Sequence, residues 1–464
     1  MNFLDDGSGE GLPQVQRSWF PYTHSPKVWC AHLRESWKYI GANYRTPSRL
    51  HSDFLSLGLS QVIAALGQII GIRLLTEALS PAVFGEITLV VGVSTLATSV
   101  LVNPTMQALL RYYPEHAQSG TGALIERTAL RRIIRNSVCA LPLSVPLAIV
   151  GVIAGWVSAG VIVLLFILAA VDGMRLLRTT VMNASMQHHR YGAWQIGEAW
   201  GRPLLAYGVA IWWGVHAEIV LGAFIVTSLA LYGFMRHSTN PRSTMPAGDF
   251  NEDDLLRKFE NYARPLIPLG LLGWISGMAD RYMIGGMLSA ENVGMYAAAY
   301  GLASRPLLML SSIAETSIRP LYYSAMARND LPASRKYLVA WFVFVFVVGT
   351  VACTLFALFH QEIGRVLLGP SFREGSYLMP WIAGGYALLA CSHVATRICY
   401  ARDATRSVLI TEAAGALLAM VIGFPLIYVL GLPGAAMAVP LFFGMQLLLS
   451  AYLARQSIRD SNCR

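Results

Sequence analysis

Residues 280–320 read DRYMIGGMLSAENVGMYAAAYGLASRPLLMLSSIAETSIRP: the end of one apolar helix, a short turn, and a second apolar helix carrying charge at regular spacing. From Gly301 the second helix presents Arg305, Ser312, Glu315 and Arg319, with Leu308 filling the one gap. Steps of three and four place all of these on one helical face. An earlier stretch, residues 73–113, is its approximate copy. Arg73 in GIRLLTEALSPAVFGEI answers Arg281 in ADRYMIGGMLSAENVGMY, and Arg111 answers Arg319, with the Leu-Ser turn between them displaced by one residue. A duplicated helix pair with embedded arginines is the feature around which the chain is organised.

Of 464 residues, 55% are hydrophobic and 13% charged, against about 25% charged in ordinary soluble domains. Many apolar runs exceed the roughly 18–20 residues needed to cross a bilayer, so the chain reads as an all-α polytopic membrane protein. The first 50 residues lack an apolar core, which excludes a cleavable signal peptide and makes insertion begin after Asp53. The net charge of +9 is distributed among alternate loops, without an aromatic-interleaved basic patch, and so points to topology rather than nucleic acid. None of the six cysteines, Cys30, Cys139, Cys353, Cys391, Cys399 and Cys463, forms a CxxC pair, so neither a disulfide framework nor a zinc site is indicated.

Twelve spans follow from the apolar runs: 54–76, 84–111, 132–156, 160–184, 192–213, 217–236, 262–288, 293–326, 335–359, 377–399, 405–430 and 434–455. The longest, 293–326, would reach about 50 Å at 1.5 Å per residue, more than the hydrocarbon core, and Pro306 is the expected kink. Residues 1–50 form a basic tail in which 29–45 could lie on the membrane surface as an amphipathic helix. The polar break at 237–259 separates a first six-helix lobe, 51–236, from a second, 260–456, followed by a short tail, 457–464. The duplicated helix pair opens each lobe. Two pseudo-symmetric lobes are a transporter architecture with the site between them. Arginine and lysine crowd the tail and the loops after even-numbered spans, which places both termini in the cytoplasm.

Three stretches carry a family resemblance: RLLTEALSPAVFGEI after the first helix, DRYMIGGMLSAENVGMYAAAYGLA across the seventh and eighth, and GLPGAA before the last. The sequence resembles the polysaccharide and O-antigen repeat-unit flippases of the multidrug/oligosaccharidyl-lipid/polysaccharide (MOP) flippase superfamily over about residues 50–455. The motifs are mostly structural and bear on the fold more than on the cargo. The resemblance implies an undecaprenyl-pyrophosphate-linked oligosaccharide as substrate, a bacterial inner-membrane location, and a polysaccharide polymerase and glycosyltransferases as partners.

Intramembrane charges face a bundle interior or an aqueous cavity, because exposure at mid-bilayer costs at least about 3 kcal/mol. Arg305 lies too deep for easy snorkelling and has no carboxylate within four residues on its helix. Arg281, Arg73 and Arg202 are the further candidates to meet a pyrophosphate, and Glu198, Asp280, Glu315 and Glu412 are protonatable groups that would couple transport to an ion. Each has a structural alternative. Glu198 with Arg202, Asp172 with Arg175, and Glu315 with Arg319 have the spacing of internal ion pairs. Arg73 and Arg281 sit where they could snorkel outward.

The milder stripe Thr88, Gly92, Thr95, Ser99 and Asn103 suits helix packing. Most tryptophans suit an interfacial belt, whereas Tyr296 and Tyr300, one turn apart and leading towards Arg305, suit sugar stacking. His188-His189 lacks a carboxylate at metal-ligand spacing, and no phosphate loop or nucleophile constellation is present, so neither enzyme activity nor a cofactor is expected.

The leading expectation is a non-enzymatic flippase working by alternating access. A cation-coupled drug exporter of the same superfamily is the alternative, disfavoured because a site for drug cations should be rich in carboxylates. A membrane-embedded glycosyltransferase or polymerase would need a large outside loop, and the longest here, 361–376, is short.

The charge asymmetry predicts that 237–259 is cytoplasmic and 361–376 outside. Single cysteines placed in each and probed in intact cells with an impermeant thiol reagent should label only in 361–376; the reverse pattern overturns the span assignment.

Overall fold

The computed structural model describes residues 47–118, 121–236, 252–328, 330–402 and 404–462. Residues 29–45 and 237–251, Cys30 and Cys463 therefore lie outside the described residues. Residues 53–464 form one compact unit.

Among the described residues every regular element is helical, and each of the twelve expected spans overlies a helix. The first lobe holds α1 (Pro47–Ala78), α2 (Pro81–Ala97) with its continuation α3 (Asn103–Gln118), α4 (Gly122–Ile153), α5 (Ala159–Ala184), α6 (His188–Trp213) and α7 (Ala217–Arg236). Between the lobes lies α8 (Glu252–Ala263), a short amphipathic helix in the segment expected as a plain polar break. The second lobe holds α9 (Ile267–Met287), α10 (Ala290–Ala327), α11 (Leu331–Leu367), α12 (Met379–Ala401), α13 (Thr405–Leu430) and α14 (Leu432–Asn462). Nine of the described helical stretches are long and apolar enough to cross a membrane. The three bundle helices outside that set are α6, α9 and α10. They carry Glu198 and Arg202, Asp280 and Arg281, and Arg305, Glu315 and Arg319.

The duplicated pair is built as two matching corners. Leu79-Ser80 joins α1 to α2 and Leu288-Ser289 joins α9 to α10. In each corner the serine is extended and its hydroxyl accepts a bond from the backbone N–H three residues on, Val83 in one and Asn292 in the other. This cap satisfies an orphan donor and stops the preceding helix from running on.

The two corners then meet. A Cβ built on Gly85 would lie 1.9 Å from the Ala290 carbonyl oxygen, and one on Gly294 would lie 1.9 Å from that of Pro81. Gly85 and Gly294 hold the same place after their turns, so the contact is self-complementary and only glycine permits it. Two neighbouring contacts close the same end of the bundle. Gly369 donates its N–H to the Thr76 hydroxyl at 2.9 Å, and Phe372 packs edge-on to Phe84 with centroids 5.6 Å apart.

Pro306 lies inside α10, which is helical through all 38 residues and has α2, α11 and α12 packed along it. Non-helical backbone occurs at Phe359 in α11. Two segments read from the sequence as a loop and a tail are helical. The segment 361–376 is largely helical, comprising the end of α11 and a 3₁₀ stretch, Pro370–Leu378, folded onto α10. The tail expected at 457–464 is helical to Asn462 as part of α14.

Gly85→Leu places a branched side chain where the helices touch. It is expected to open the closed end, so that a cysteine at Thr76 reacts faster with a small thiol reagent than in the Gly85 parent. Equal rates would show that this crossing does not hold the lobes together.

Candidate functional site

The stripe of α10 faces α1 and runs from closed to open. Its start is covered: Gly294 lies against Pro81 and Gly301 against Ile72, and Ala298 between them is buried. One turn on, the Arg305 guanidinium donates to the Gln68 backbone carbonyl at 3.2 Å. Beyond that the cover stops: Leu308 is 44% exposed, and Ser312 on α10 and Gln68 on α1 are exposed. Arg305 thus stands where the cover that α1 gives this stripe ends.

Across the rest of the interface, α9 lies along α2. Tyr282 donates to the Leu89 carbonyl at 2.7 Å, Trp274 donates to the Gly92 carbonyl at 2.8 Å, and Gly270 passes over the Ser99 carbonyl. The small and hydroxylic stripe of α2 is therefore packing surface, at Gly92 and Ser99 directly. Within this stripe, at Ser99, a π-helical turn, Thr98–Val102, interrupts the α2–α3 helix.

Among the described residues the intramembrane charges resolve into three ion-paired groups, one carboxylate outside them, Glu412, and one guanidinium remainder. In the first lobe Asp172 accepts from Ser94 at 3.1 Å, Arg175 at 3.2 Å and Arg202 at 2.7 Å. Glu198 accepts from Arg175 at 3.2 Å and pairs with Arg202 at 3.1 Å, and Arg202 also donates to Ser228. Two carboxylates and two guanidiniums thus form one ring tying α2, α5, α6 and α7. The two pairs expected separately are a single network.

In the second lobe Arg281, 6% exposed, turns inward. It donates to Asp280 at 2.9 Å and to the Gly277 carbonyl at 2.6 Å, and it lies 4.1 Å from the Tyr300 ring centroid. Tyr296 donates to Asp280 at 2.7 Å, and Tyr300 shares a 2.7 Å bond with Tyr386. Both tyrosines are sealed inside the lobe, so the expectation that they stack on sugar is corrected: apolar neighbours from α12 and α14 enclose them. Glu315 holds Arg319 at 2.8 Å and Arg397 at 2.5 Å. Glu412 faces Arg397, and among the described residues no ion pair forms at Glu412.

Arg73 pairs with Glu77 on its own helix, at the closed end. Arg305 is the remainder. Among the described residues it pairs with no carboxylate, and the charged group facing it is another arginine, Arg281. The link between Glu315 and Arg397, 82 positions apart, had no local signal in the sequence; nor did the pairing of Asp172 with Arg202. Tryptophans behave in two ways. Trp156, Trp212 and Trp213 are strongly exposed at helix ends, as an interfacial belt requires, whereas Trp194 is buried and Trp200 donates to the Ile63 carbonyl at 3.0 Å.

No protein-family model matches the chain, and no curated protein matches it. Solved structures do share its fold. The lipid II flippase MurJ in an inward closed conformation is 10% identical, with 87% of each chain covered and a TM-score of 0.65. An inward-facing multidrug resistance MATE transporter of the MOP superfamily is 13% identical, covering 86% of this chain and 95% of that one at a TM-score of 0.58. A MOP superfamily transporter from Pyrococcus furiosus, described as having a binding pocket of reverse polarity, is 13% identical over 87% and 96% at 0.53. The chain has the two-lobed, all-α fold of MOP transporters and is a multi-pass membrane protein.

The ring in the first lobe predicts a stability phenotype. Arg202→Ala leaves two partly buried carboxylates sharing Arg175 as their one remaining cation in the ring, and breaking buried pairs outright costs about 3–5 kcal/mol. Purified variant should melt well below the parent, and Asp172→Asn added to Arg202→Ala should recover part of the loss. An unchanged melting temperature for Arg202→Ala would show the ring to be dispensable for folding.

Proposed function

We propose that the protein is a flippase that moves a polyprenyl-pyrophosphate-linked oligosaccharide repeat unit across the bacterial inner membrane for surface or exopolysaccharide synthesis. The observation that carries this reading is Arg305: a guanidinium on α10 where the cover from α1 ends, bonded to a backbone carbonyl and facing a second arginine, at what in this reading is the narrow part of a cleft between the lobes. A charge so placed lacks an anion, and a diphosphate supplies one in the geometry that a planar fork grips bidentately. Arg281, Arg73 and Arg202 already have carboxylate partners, so they would add positive potential rather than direct grip. The lipid chain would trail from the cleft into the bilayer while the sugars occupy its open part.

Alternating access follows from the same geometry. The closed end is held by backbone approach and a few side chains, which rocking of the lobes can undo without unpairing a buried charge. With the arginine-rich helix ends in the cytoplasm, the cleft opens inward and receives cargo from the inner leaflet. Glu198, Asp280 and Glu315 are held in ion pairs. Glu412 is therefore the group best placed to take up a coupling ion. In this reading the protein performs no covalent chemistry, both termini are cytoplasmic, and a polymerase and glycosyltransferases act before and after it.

The same fold serves a lipid II flippase and multidrug transporters, so fold alone does not choose between a lipid cargo and a drug. Charge favours the first, since a cationic drug would have to approach an uncompensated arginine.

Losing a charge-assisted contact of this kind costs about 1.5–3 kcal/mol, roughly ten- to a hundredfold in affinity. Arg305→Ala should accumulate in the membrane normally while surface polysaccharide per unit of inserted protein falls sharply, and Arg305→Lys should restore only part. Near-normal export by Arg305→Ala would remove this residue from the site, and a fall that tracks protein abundance would assign it to structure.

A further inference from the structure

The side of the first lobe formed by α4 and α8 carries a second arrangement of arginines, remote from the cleft. Helix α4 turns an apolar stripe outward: Ile134, Val138, Leu141, Val145 and Ile149 are all exposed. From Ile134 to Ile149 this stripe is about 22 Å long, more than the roughly 15 Å depth of one hydrocarbon leaflet. Arg131 and Arg127 continue this side of the helix past the end of the stripe, and Arg135 stands beside Ile134 at that end; all three are exposed.

Helix α8 seats itself beside these arginines. Leu255 and Phe259 are buried against α3 and α4, with Phe259 stacked on Tyr112 at 5.8 Å. Glu260 pairs with Arg135. Behind the pair lies Arg132, only 2% exposed. It donates to the Thr105 hydroxyl, while its Nε is buried and has no hydrogen-bond partner. The charged groups that face Arg132 are Glu260, Arg135 and Arg264. Around Arg132, among the described residues, Glu260 is the one carboxylate that acts on it, against Arg135 and Arg264, and that carboxylate is already paired with Arg135.

We propose that the α4–α8 seam binds the phosphate of an anionic phospholipid, with its acyl chains lying along the exposed stripe of α4. A rule of topology asks only for positive charge at this end of the bundle. It does not ask for arginines aligned with a lipid-facing stripe, nor for a further guanidinium buried behind them. A headgroup phosphate suits a cluster of guanidiniums in this place, and the stripe supplies the acyl contact that a free phosphate could not use. The site is independent of the cargo and of the cleft.

The test uses full-length protein in detergent with fluorescent phosphatidylglycerol and phosphatidylcholine as probes. Phosphatidylglycerol should bind roughly tenfold more tightly than phosphatidylcholine. The variant Arg127→Gln/Arg131→Gln/Arg264→Gln alters exposed side chains and should fold, shown by a parental melting temperature in phosphatidylcholine, yet lose most of that preference. Arg127→Gln alone should lose part of it. Arg335→Gln/Lys336→Gln, which removes exposed charge from the start of α11, should keep it. Equal binding of the two lipids, a preference that survives the triple variant, or an equal loss in the α11 variant would each overturn the proposal.

Discussion

A charge inside a membrane must find a counter-charge, and this requirement shapes both lobes. Asp172, Arg175, Glu198 and Arg202 close into a ring that fixes the relative positions of four helices. Asp280 and Arg281 close with the hydroxyl of Tyr296 and the face of Tyr300. Glu315 draws Arg319 and Arg397 together. Each group is worth more than its separate pairs, because removing one member leaves another desolvated and unpaired. The helices that carry most of these residues, α6, α9 and α10, are the ones too polar to read as spans on hydropathy alone. They stay in the bundle because their polar faces are turned inward and answered.

Between the lobes the constraint is different. Here the backbones approach, at Gly85 and Gly294, and the hydrogen bonds run from side chains to carbonyls: Tyr282 to Leu89, Trp274 to Gly92, Arg305 to Gln68. Such contacts are individually modest and expose no buried charge when they part. A molecule with ion pairs inside its lobes and neutral contacts between them can move as two bodies. Arg305 belongs to the second class by position and to the first by chemistry, which is why the proposed substrate contact is placed on it.

The two copies of the helix pair have diverged in what their arginines do. Arg73 stays near the surface with Glu77, whereas Arg281 is drawn inward by its neighbour Asp280. The position before Arg73 is Ile72, which packs beneath Gly301. One residue of difference therefore turns a solvated pair into a buried one. The common element is the turn that each pair encloses, and that turn is where the lobes touch.

What the sequence determined by itself was the set of local features: the number and order of the helices, the division into two lobes, and the serine-capped turns. These depend on apolar run length, charge placement and short-range capping, all of which act within a few residues. The internal pairs Glu198–Arg202 and Glu315–Arg319 were legible too, because a spacing of four places both groups on one face. Only the tertiary structure decided which pairs join. Asp172 reaches Arg202 and Glu315 reaches Arg397 across helices whose facing surfaces no spacing rule predicts. It also decided that Tyr296 and Tyr300 are sealed inside a lobe rather than lining the cleft. Their one-turn spacing assigns them to a face, and what covers that face depends on how α12 and α14 pack against α10. Arg305 shows both contributions: its isolation along α10 was visible in the sequence, while its bond to the Gln68 carbonyl depends on where α1 stops covering α10.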